Sequence, residues 1–322
     1  GVYRKGLCFT KNLRNHRRQS QVPVFATIIP IFTVIALGWV AHRRGYIPDS
    51  FIAPANRLVY NLAIPAMIFR AIARTPIDLK LYLPGVTATI SAVAAIFGLA
   101  WVVGRMLKVG QKSLGSFIQC AMHGNLGYIG LAVVYYHLGD PGVTVASIYA
   151  GFIMITQNIL AVIALQVAAN QSPGARSILK IITNPVIVAA TVGMIWSAQG
   201  SGLPLVLDRT LTILADMALP LALLIIGSSL NISAIRRQLR TVAVASLFKL
   251  GALPLLGLLF LRLTNLAPAA VLPAMILLAA PTATVSYVMA GALGGDTDLA
   301  TAAISVSTIG SAATYLLWLS WL

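Results

Sequence analysis

Long apolar segments alternate with short polar ones over almost the whole chain. Most of the apolar segments contain the roughly 20 residues that a helix needs to cross a bilayer. Pro, Gly or clustered charges separate one segment from the next. We therefore predict an all-α membrane protein with ten transmembrane helices. The predicted spans are residues 23–41, 51–73, 81–105, 113–138, 142–169, 176–198, 204–230, 239–262, 268–293 and 297–321.

Helix-breaking residues inside these spans recur at a fixed distance along the chain. The matching pairs are Pro30 and Pro185, Gly38 and Gly193, and Pro65 and Pro220, each 155 residues apart, with Gly139-Asp140 and Gly295-Asp296 at 156. Self-similarity at half the chain length, with interrupted apolar segments at matching places, is typical of secondary transporters built from two repeats. Five spans per repeat is an odd number, so the second repeat should be inverted. We predict five-helix repeats over residues 21–169 and 170–322.

Composition supports this class and excludes others. Of the 322 residues, 58% are hydrophobic and 9% are charged. The seven acidic residues are all Asp, so a metalloprotease motif that requires Glu is ruled out. The two cysteines, Cys8 and Cys120, lie far apart, and neither a disulfide framework nor a metal site is expected.

Positive charge predicts the orientation. The loops after spans 1, 3, 5 and 7, with the adjoining helix ends, carry ten Lys and Arg, and the opposite loops carry four. Because positively charged loops stay in the cytoplasm, both termini are expected outside it. Residues 1–20 are themselves basic, and we interpret them as a disordered N-terminal extension; a signal-peptide n-region or a cytoplasmic anchor is the alternative. The net charge of +16 fits a membrane surface and does not indicate nucleic-acid binding.

Two polar residues inside spans occupy equivalent places in the repeats. Asn61 precedes Pro65 by four residues, and Asp216 precedes Pro220 by four. Proline lacks the N–H that would bond to the carbonyl four residues earlier, so each proline frees a carbonyl beside a polar side chain. This predicts a cation or proton site, with Asp216 expected to be buried and to act as the ionisable coupling group. The alternative is a kink stabilised by a buried polar residue.

Lys249 is the deepest cation in the pattern. It is nine residues from Arg240 and thirteen from Arg262. It therefore lies about 13 Å from the nearer end of its span, too deep for comfortable snorkelling. We expect either an ion pair with Asp216 or contact with an anionic substrate. If the span is shifted, Lys249 lies at the interface instead.

Spans 4 and 9 contain weak helix points in equivalent places. The residues concerned are Gly124, Asn125, Gly127, Tyr128 and Gly130 in span 4, and Pro281, Thr282 and Thr284 in span 9. Unwound backbone that lines a cavity requires this mixture of helix breakers with amide and hydroxyl groups. Half-helices that meet there would direct their N-terminal dipoles at an anionic substrate. Close helix packing on the glycines is the alternative.

Five motifs, in order on these spans, resemble the auxin efflux carrier family, which includes plant auxin exporters and bacterial malonate and malate carriers. They read IPIF from Ile29, NLAIP from Asn61, HGNLGYIGL from His123, LPLALLIIG from Leu219 and APTATVSY from Ala280. The resemblance covers about residues 23–321. It implies two inverted five-helix repeats, broken helices 4 and 9 that cross at the centre, and elevator-type movement of small organic anions.

The resemblance also implies roles for single residues. It places Asn125 at the crossover as a carboxylate ligand and Pro281 at the second helix break. Ala132 follows Leu131 where family members often have Pro, so the break in span 4 is expected to rest on Gly127 and Gly130. The short loop between spans 5 and 6 favours a bacterial carrier, in the inner membrane.

The sequence therefore predicts a secondary transporter, and not an enzyme, that moves a small mono- or dicarboxylate. A proton-linked mechanism through Asp216 and Asn61, or uniport, is favoured. The alternative is a sodium-coupled symporter of the bile-acid type, for which span 9 offers only hydroxyl groups. No cofactor or metal is expected, apart from a proton or sodium as coupling ion. The expected partners are a small organic anion and the lipid bilayer, with no nucleic acid; a homodimer remains open.

Overall fold

The computed structural model describes residues 23–74, 79–169, 183–200, 202–231 and 238–322. Within these ranges the chain folds into helices and has no strand beyond a single isolated bridge. In order the helices are α1 (Val24–Arg43), α2 (residues 49–73), α3 (Leu79–Met106), α4 (Gln111–Met122), α5 (Leu126–Ala168), α6 (Pro185–Ala198), α7 (Leu205–Ser228), α8 (Leu239–Arg262), α9 (Pro268–Leu278), α10 (Val285–Ala292) and α11 (Thr297–Trp321). The all-α prediction is confirmed. The basic extension at residues 1–20 and the predicted start of span 6 at residue 176 lie outside the described residues.

Six of these helices, α1, α3, α5, α7, α8 and α11, are long and apolar enough to cross a membrane, and α6 and α9 are shorter apolar helices. Helix α5 has 43 residues. That length is roughly 65 Å, about twice the thickness of the hydrocarbon core. Gly139 turns it, with φ of 67° and ψ of −166°, at the boundary predicted between spans 4 and 5. A multi-pass membrane protein follows from these helices, whereas the count of ten spans stays a prediction.

Prolines give three helices their local irregularities. In α2 the π turn Val59–Ala63 comes just before Pro65, and in α8 the π turn Phe248–Ala252 comes just before Pro254. A proline cannot donate to the preceding turn, and a widened turn accommodates the missing hydrogen bond. Helix α7 is instead interrupted at Met217, three residues before Pro220.

Glycines singled out by the repeat lie at equivalent helix contacts. A Cβ atom on Gly38 of α1 would overlap the carbonyl oxygen of Leu224 in α7. A Cβ atom on Gly193 of α6 would lie 3.3 Å from the carbonyl oxygen of Phe69 in α2. Phe69 and Leu224 are themselves 155 residues apart. The helix pairs α1–α7 and α2–α6 therefore approach each other closely at matching positions. Only glycine fits at Gly38, whereas a Cβ atom at Gly193 would require a small shift of its neighbours.

The helices pack as two groups. In the first group α1 packs on α7, and α2 packs on both α6 and α7. Helices α3, α4, α5, α8, α9 and α11 form a second group through the pairs α3–α4, α3–α8, α4–α5, α5–α9 and α8–α11. Both helix interruptions expected in spans 4 and 9 fall inside the second group.

Asp296, in the loop before α11, joins three helix N-termini of the second group. Its carboxylate accepts hydrogen bonds from the Ser113 hydroxyl at 2.6 Å, the Gln238 amide at 2.9 Å and the Leu299 N–H at 3.0 Å. Burial by itself would raise the pKa of this carboxyl, but the hydrogen bonds hold the pKa below its usual value. The ionised form therefore ties the starts of α4, α8 and α11 together.

Acid should weaken the fold at Asp296. Because its pKa is lower in the folded protein, its contribution to stability is present above the ordinary value of 3.8 and is lost as the pH falls through the folded value. The Asp296→Asn variant should unfold at a lower temperature at pH 7 and show a smaller loss of Tm between about pH 5 and pH 3. Thermal unfolding of the purified protein checks this, with Asp298→Asn as control. A wild-type Tm for Asp296→Asn at pH 7 would contradict the assignment.

Candidate functional site

Two helix interruptions meet at the centre of the second group. Residues 123–125 separate α4 from α5, and residues 279–284 separate α9 from α10. The two unwound segments run antiparallel, with Gly124 bridged to Thr282. The backbone hydrogen bonds of this bridge are Asn125 N–H to the Pro281 carbonyl at 2.7 Å and Ala283 N–H to the His123 carbonyl at 2.9 Å. The structure thus brings together the two weak points that the repeat made equivalent in the sequence.

The interruption in span 4 lies at Gly124, the first of the three glycines singled out there. Gly127 and Gly130 belong to a π turn, Leu126–Gly130, and Gly130 has helical angles of φ −56° and ψ −55°. The expectation that these two glycines form the break is wrong. The bridge to Thr282 uses the His123 carbonyl and the Asn125 N–H, which a continuous helix would need, so the break falls at Gly124.

Buried side chains satisfy the backbone groups that the breaks release. Gln157 donates to the Met122 carbonyl at 3.0 Å and accepts from the Gly124 N–H at 3.2 Å. Thr282 donates through its hydroxyl to the Cys120 carbonyl at 3.0 Å, and its N–H donates to Ser307 at 3.0 Å. Thr282 is fully buried and, like Pro281, does not line the adjacent cavity. Its hydroxyl supports the crossover from behind.

A cavity of about 480 Å³ opens beside the crossover. Helices α2 and α6 form one wall, and the crossover, α5 and α10 form the other, so the cavity separates the two helix groups. Of the predicted site residues, Asn61, Gly124, Asn125, Gly127, Tyr128 and Thr284 line it. Its other polar lining residues are Asn56, Arg57, Tyr60, His123, Asn158 and Asn184. The described lining contains five asparagines and one arginine, and no acidic residue.

The side-chain amide of Asn125 has a hydrogen-bond partner for its oxygen and none for its nitrogen among the described residues. Its side-chain oxygen caps the π turn by accepting from the Tyr128 N–H at 3.3 Å. Its side-chain nitrogen is buried and has no hydrogen-bond partner among the described residues. Tyr128 is fixed in turn, because its hydroxyl donates to Asn56 of α2 at 3.1 Å. The cavity wall therefore contains, beside the start of α5, a buried N–H₂ donor that has no partner among the described residues.

Arg57 is a cavity residue that the sequence reasoning missed. Arg70 and Arg74, on the same helix, both pair with Asp208, at 3.0 and 3.5 Å. Arg57 has no ion pair with any described residue, and it lines the cavity near the crossover. The sequence does place Arg57 six residues into predicted span 2, rather than at the span end, and this depth could have indicated a functional arginine.

Asp216 and Pro220 lie elsewhere. They line a second, larger cavity of about 1030 Å³, which also includes Arg70, Arg74 and Asp140. Asp216 is exposed there, so the expectation that it is buried is wrong. The interruption at Met217 ends the first part of α7 at Asp216 and leaves its side chain at the cavity surface. Pro65 lines neither cavity.

Lys249 is fully buried in the π turn of α8. Its ammonium donates to the carbonyl of Leu278 at 2.8 Å, and it does not line the cavity. The expected ion pair with Asp216 is absent among the described residues, because Lys249 bonds at the crossover and Asp216 lines the other cavity. Over the described ranges, no three His, Cys, Asp or Glu side chains come together as metal ligands.

Bilayer-length apolar helices around polar cavities define an integral, multi-pass membrane protein. The sequence profile of the family described as "Membrane transport protein" matches residues 23–319. The chain therefore belongs to this family, the auxin efflux carrier family that its motifs resemble, and is a membrane transporter.

Two curated relatives match nearly the whole chain. A Rhizobium meliloti (strain 1021) protein named "Putative malonate transporter" is 26% identical over 300 residues, which cover 89% of this chain and 92% of the relative. A Methanothermobacter thermautotrophicus protein named "Uncharacterized transporter" is 25% identical over 302 residues, covering 91% and 96%.

Proposed function

We propose that this protein is a secondary transporter for a small mono- or dicarboxylate, which binds in the cavity beside the crossover. The observation that carries the proposal is the buried side-chain nitrogen of Asn125, a donor without a protein partner among the described residues. A buried donor is costly to leave unbonded, and a carboxylate oxygen of a substrate would satisfy it. The name of the Rhizobium relative supports the same chemical class.

The surroundings of Asn125 favour an anion over a cation. Helices α5 and α10 both begin at the cavity, at Leu126 and Val285, so the positive ends of their dipoles face it. The asparagines of the lining add neutral donors. Neutral donors replace the hydration shell of a carboxylate without a tight ion pair, which also permits its release.

Arg57 supplies the permanent positive charge of this cavity. An arginine that has no acidic partner can bind a carboxylate through two parallel N–H groups. It lies on α2, in the opposite helix group from Asn125. A dicarboxylate held by both residues would join the two walls of the cavity.

The cavity position supports an elevator-type mechanism. In such a mechanism one helix group carries the site past the other, and here the crossover belongs to the second group while α2 and α6 form the opposing wall. Residues 53–64 of α2 line the crossover cavity, and residues 67–74 of the same helix line the second cavity. With both termini outside the cytoplasm, as the positive charges predict, the crossover cavity opens toward the cytoplasm. We assign the carrier to a bacterial inner membrane.

A proton remains our proposed coupling ion, with Asp216 as its carrier and Asn61 as the matching residue of the first repeat. Asp216 lines the second cavity and Asn61 the first, so the two repeat-related residues lie on opposite access paths. A carboxyl group on an access path can exchange protons with the solution. Sodium coupling of the bile-acid type is the alternative, and imposed gradients separate the two.

Removing the Asn125 donor should weaken anion binding. The Asn125→Ala variant is expected to lose about 1 to 3 kcal/mol of binding free energy for its carboxylate, the scale of a hydrogen bond to a charged group. Isothermal titration of the purified protein with malonate, malate, succinate and acetate measures this. Asn265→Ala, in the loop between α8 and α9, is the matched control. Wild-type affinity in Asn125→Ala would move the anion site away from the crossover.

Arg57→Gln should weaken binding of the same carboxylate by roughly 10- to 100-fold, because it removes a charge-assisted hydrogen bond. Arg57→Lys should retain part of the affinity, since a lysine keeps the charge but not the paired N–H groups. Arg209→Gln is the control for loss of an exposed arginine. Equal affinities in Arg57→Gln and Arg209→Gln would show that Arg57 does not contact the substrate.

Asp216→Asn should remove the pH dependence of transport while the protein stays folded, because it deletes a titratable group and keeps its size. Uptake into proteoliposomes under separate pH and sodium gradients measures the effect. Asp140→Asn, which lines the same cavity, is the matched control and should retain the wild-type pH profile. If Asp216→Asn also retains it, Asp216 does not carry the coupling proton.

A further inference from the structure

Lys249 is a buried lysine without a carboxylate partner among the described residues. Its side chain has no exposed surface, and the ion pairs of the described residues, His42–Asp49, Arg70–Asp208 and Arg74–Asp208, do not include it. An ammonium group in this setting is unfavourable unless negative groups surround it. The group it contacts is a backbone carbonyl, that of Leu278, at 2.8 Å.

Leu278 is the last residue of α9, so Lys249 lies at a helix C-terminus. The carbonyls of the last turn otherwise have nearby partners: Met275 accepts from the Ala279 N–H, Ile276 from the Tyr315 hydroxyl and Leu277 from the Ala280 N–H. The Leu278 carbonyl instead accepts its hydrogen bond from the ammonium of Lys249. A helix C-terminus carries a partial negative charge, so a cation is the favourable cap.

The other broken helix of the crossover ends differently. At the end of α4, the neutral amide of Gln157 bonds to the Met122 carbonyl, and the neutral hydroxyl of Thr282 bonds to the Cys120 carbonyl. Neutral groups are therefore sufficient to satisfy the carbonyls of a helix end at this depth. The presence of a lysine, rather than a neutral cap, at the end of α9 therefore needs a further explanation.

The position of Lys249 next to Gly124 gives such an explanation. The position of a Cβ atom on Gly124 would lie 3.2 Å from both the Nζ and the Cε atoms of Lys249. Gly124 also lines the cavity next to Asn125. The ammonium is therefore separated from the cavity by the thickness of one glycine.

We propose that Lys249 is the resident cation of the crossover, a positioning residue that fixes the end of α9 and attracts the substrate anion from behind Gly124 without touching it. The first part depends only on the contacts above. The second part rests on the proposed carboxylate site. At low effective dielectric, a unit charge this close to the cavity acts on an anion over a distance of several ångströms.

Chemical rescue tests the resident cation without any substrate. Lys249→Ala removes a propylammonium fragment, so the variant should unfold at a lower temperature and regain stability with n-propylammonium chloride. n-Propanol fills the same volume without charge, sodium chloride controls for ionic strength, and Lys112→Ala controls for loss of a surface lysine. Rescue by propylammonium alone supports the proposal. Equal rescue by n-propanol, or an unchanged unfolding temperature in Lys249→Ala, overturns it, because volume and not charge would then be the requirement.

Comparison of acetate and malonate binding tests whether Lys249 attracts the substrate anion from behind Gly124. In Lys249→Met, acetate should bind roughly tenfold more weakly, and malonate, with two charges in the same potential, roughly a hundredfold more weakly. Lys249→Arg should keep both affinities, and Lys112→Met should change neither. An equal loss for acetate and malonate indicates damaged packing and overturns the electrostatic role. If neither probe binds the unsubstituted protein, the proposed substrate class fails, and the rescue experiment still decides the role of Lys249.

Discussion

A hydrocarbon environment offers no water to unpaired backbone groups, and the crossover is built around that constraint. Two helices stop and restart in the second group, and each interruption exposes N–H and carbonyl groups that must find partners inside the protein. The antiparallel bridge between residues 123–125 and 281–283 pairs some of them. Gln157, Thr282 and Lys249 complete others. The side-chain nitrogen of Asn125, in the cavity wall, stays without a partner among the described residues.

The site is thus a consequence of how the break is satisfied. Asn125 uses its oxygen to cap the π turn, and its nitrogen has no hydrogen-bond partner among the described residues. Thr282, which directly precedes the cavity residue Ala283, does not line the cavity, and neither does Pro281. The Thr282 hydroxyl instead supports the end of α4. On this segment the change from support to lining falls between Thr282 and Ala283, whereas residues 123–128 line the cavity without a gap.

The candidate site lies between the two helix groups. The opposing wall, from α2 and α6, carries the positive charge of Arg57, while the larger second cavity contains both acids and bases. Glycine contacts hold α1 against α7 and α6 against α2 at matching points. In the proposed elevator mechanism, these tight contacts would hold the first group together while the second moves. Tyr128 and Asn56 form a hydrogen bond across the boundary, and any such movement must break it.

The sequence by itself determined the helical class, the family and the places where helices weaken, because length, hydropathy and Pro or Gly positions act locally. It also located Asn125 and the weak points of spans 4 and 9. Tertiary structure decided which weak point became the break: Gly124, and not Gly127 or Gly130, because the bridge to Thr282 competes for the backbone. It also separated Asp216 from Lys249 and brought Arg57 to the cavity. Depth along a span can be read from sequence, but the direction in which a side chain points depends on which helices pack around it.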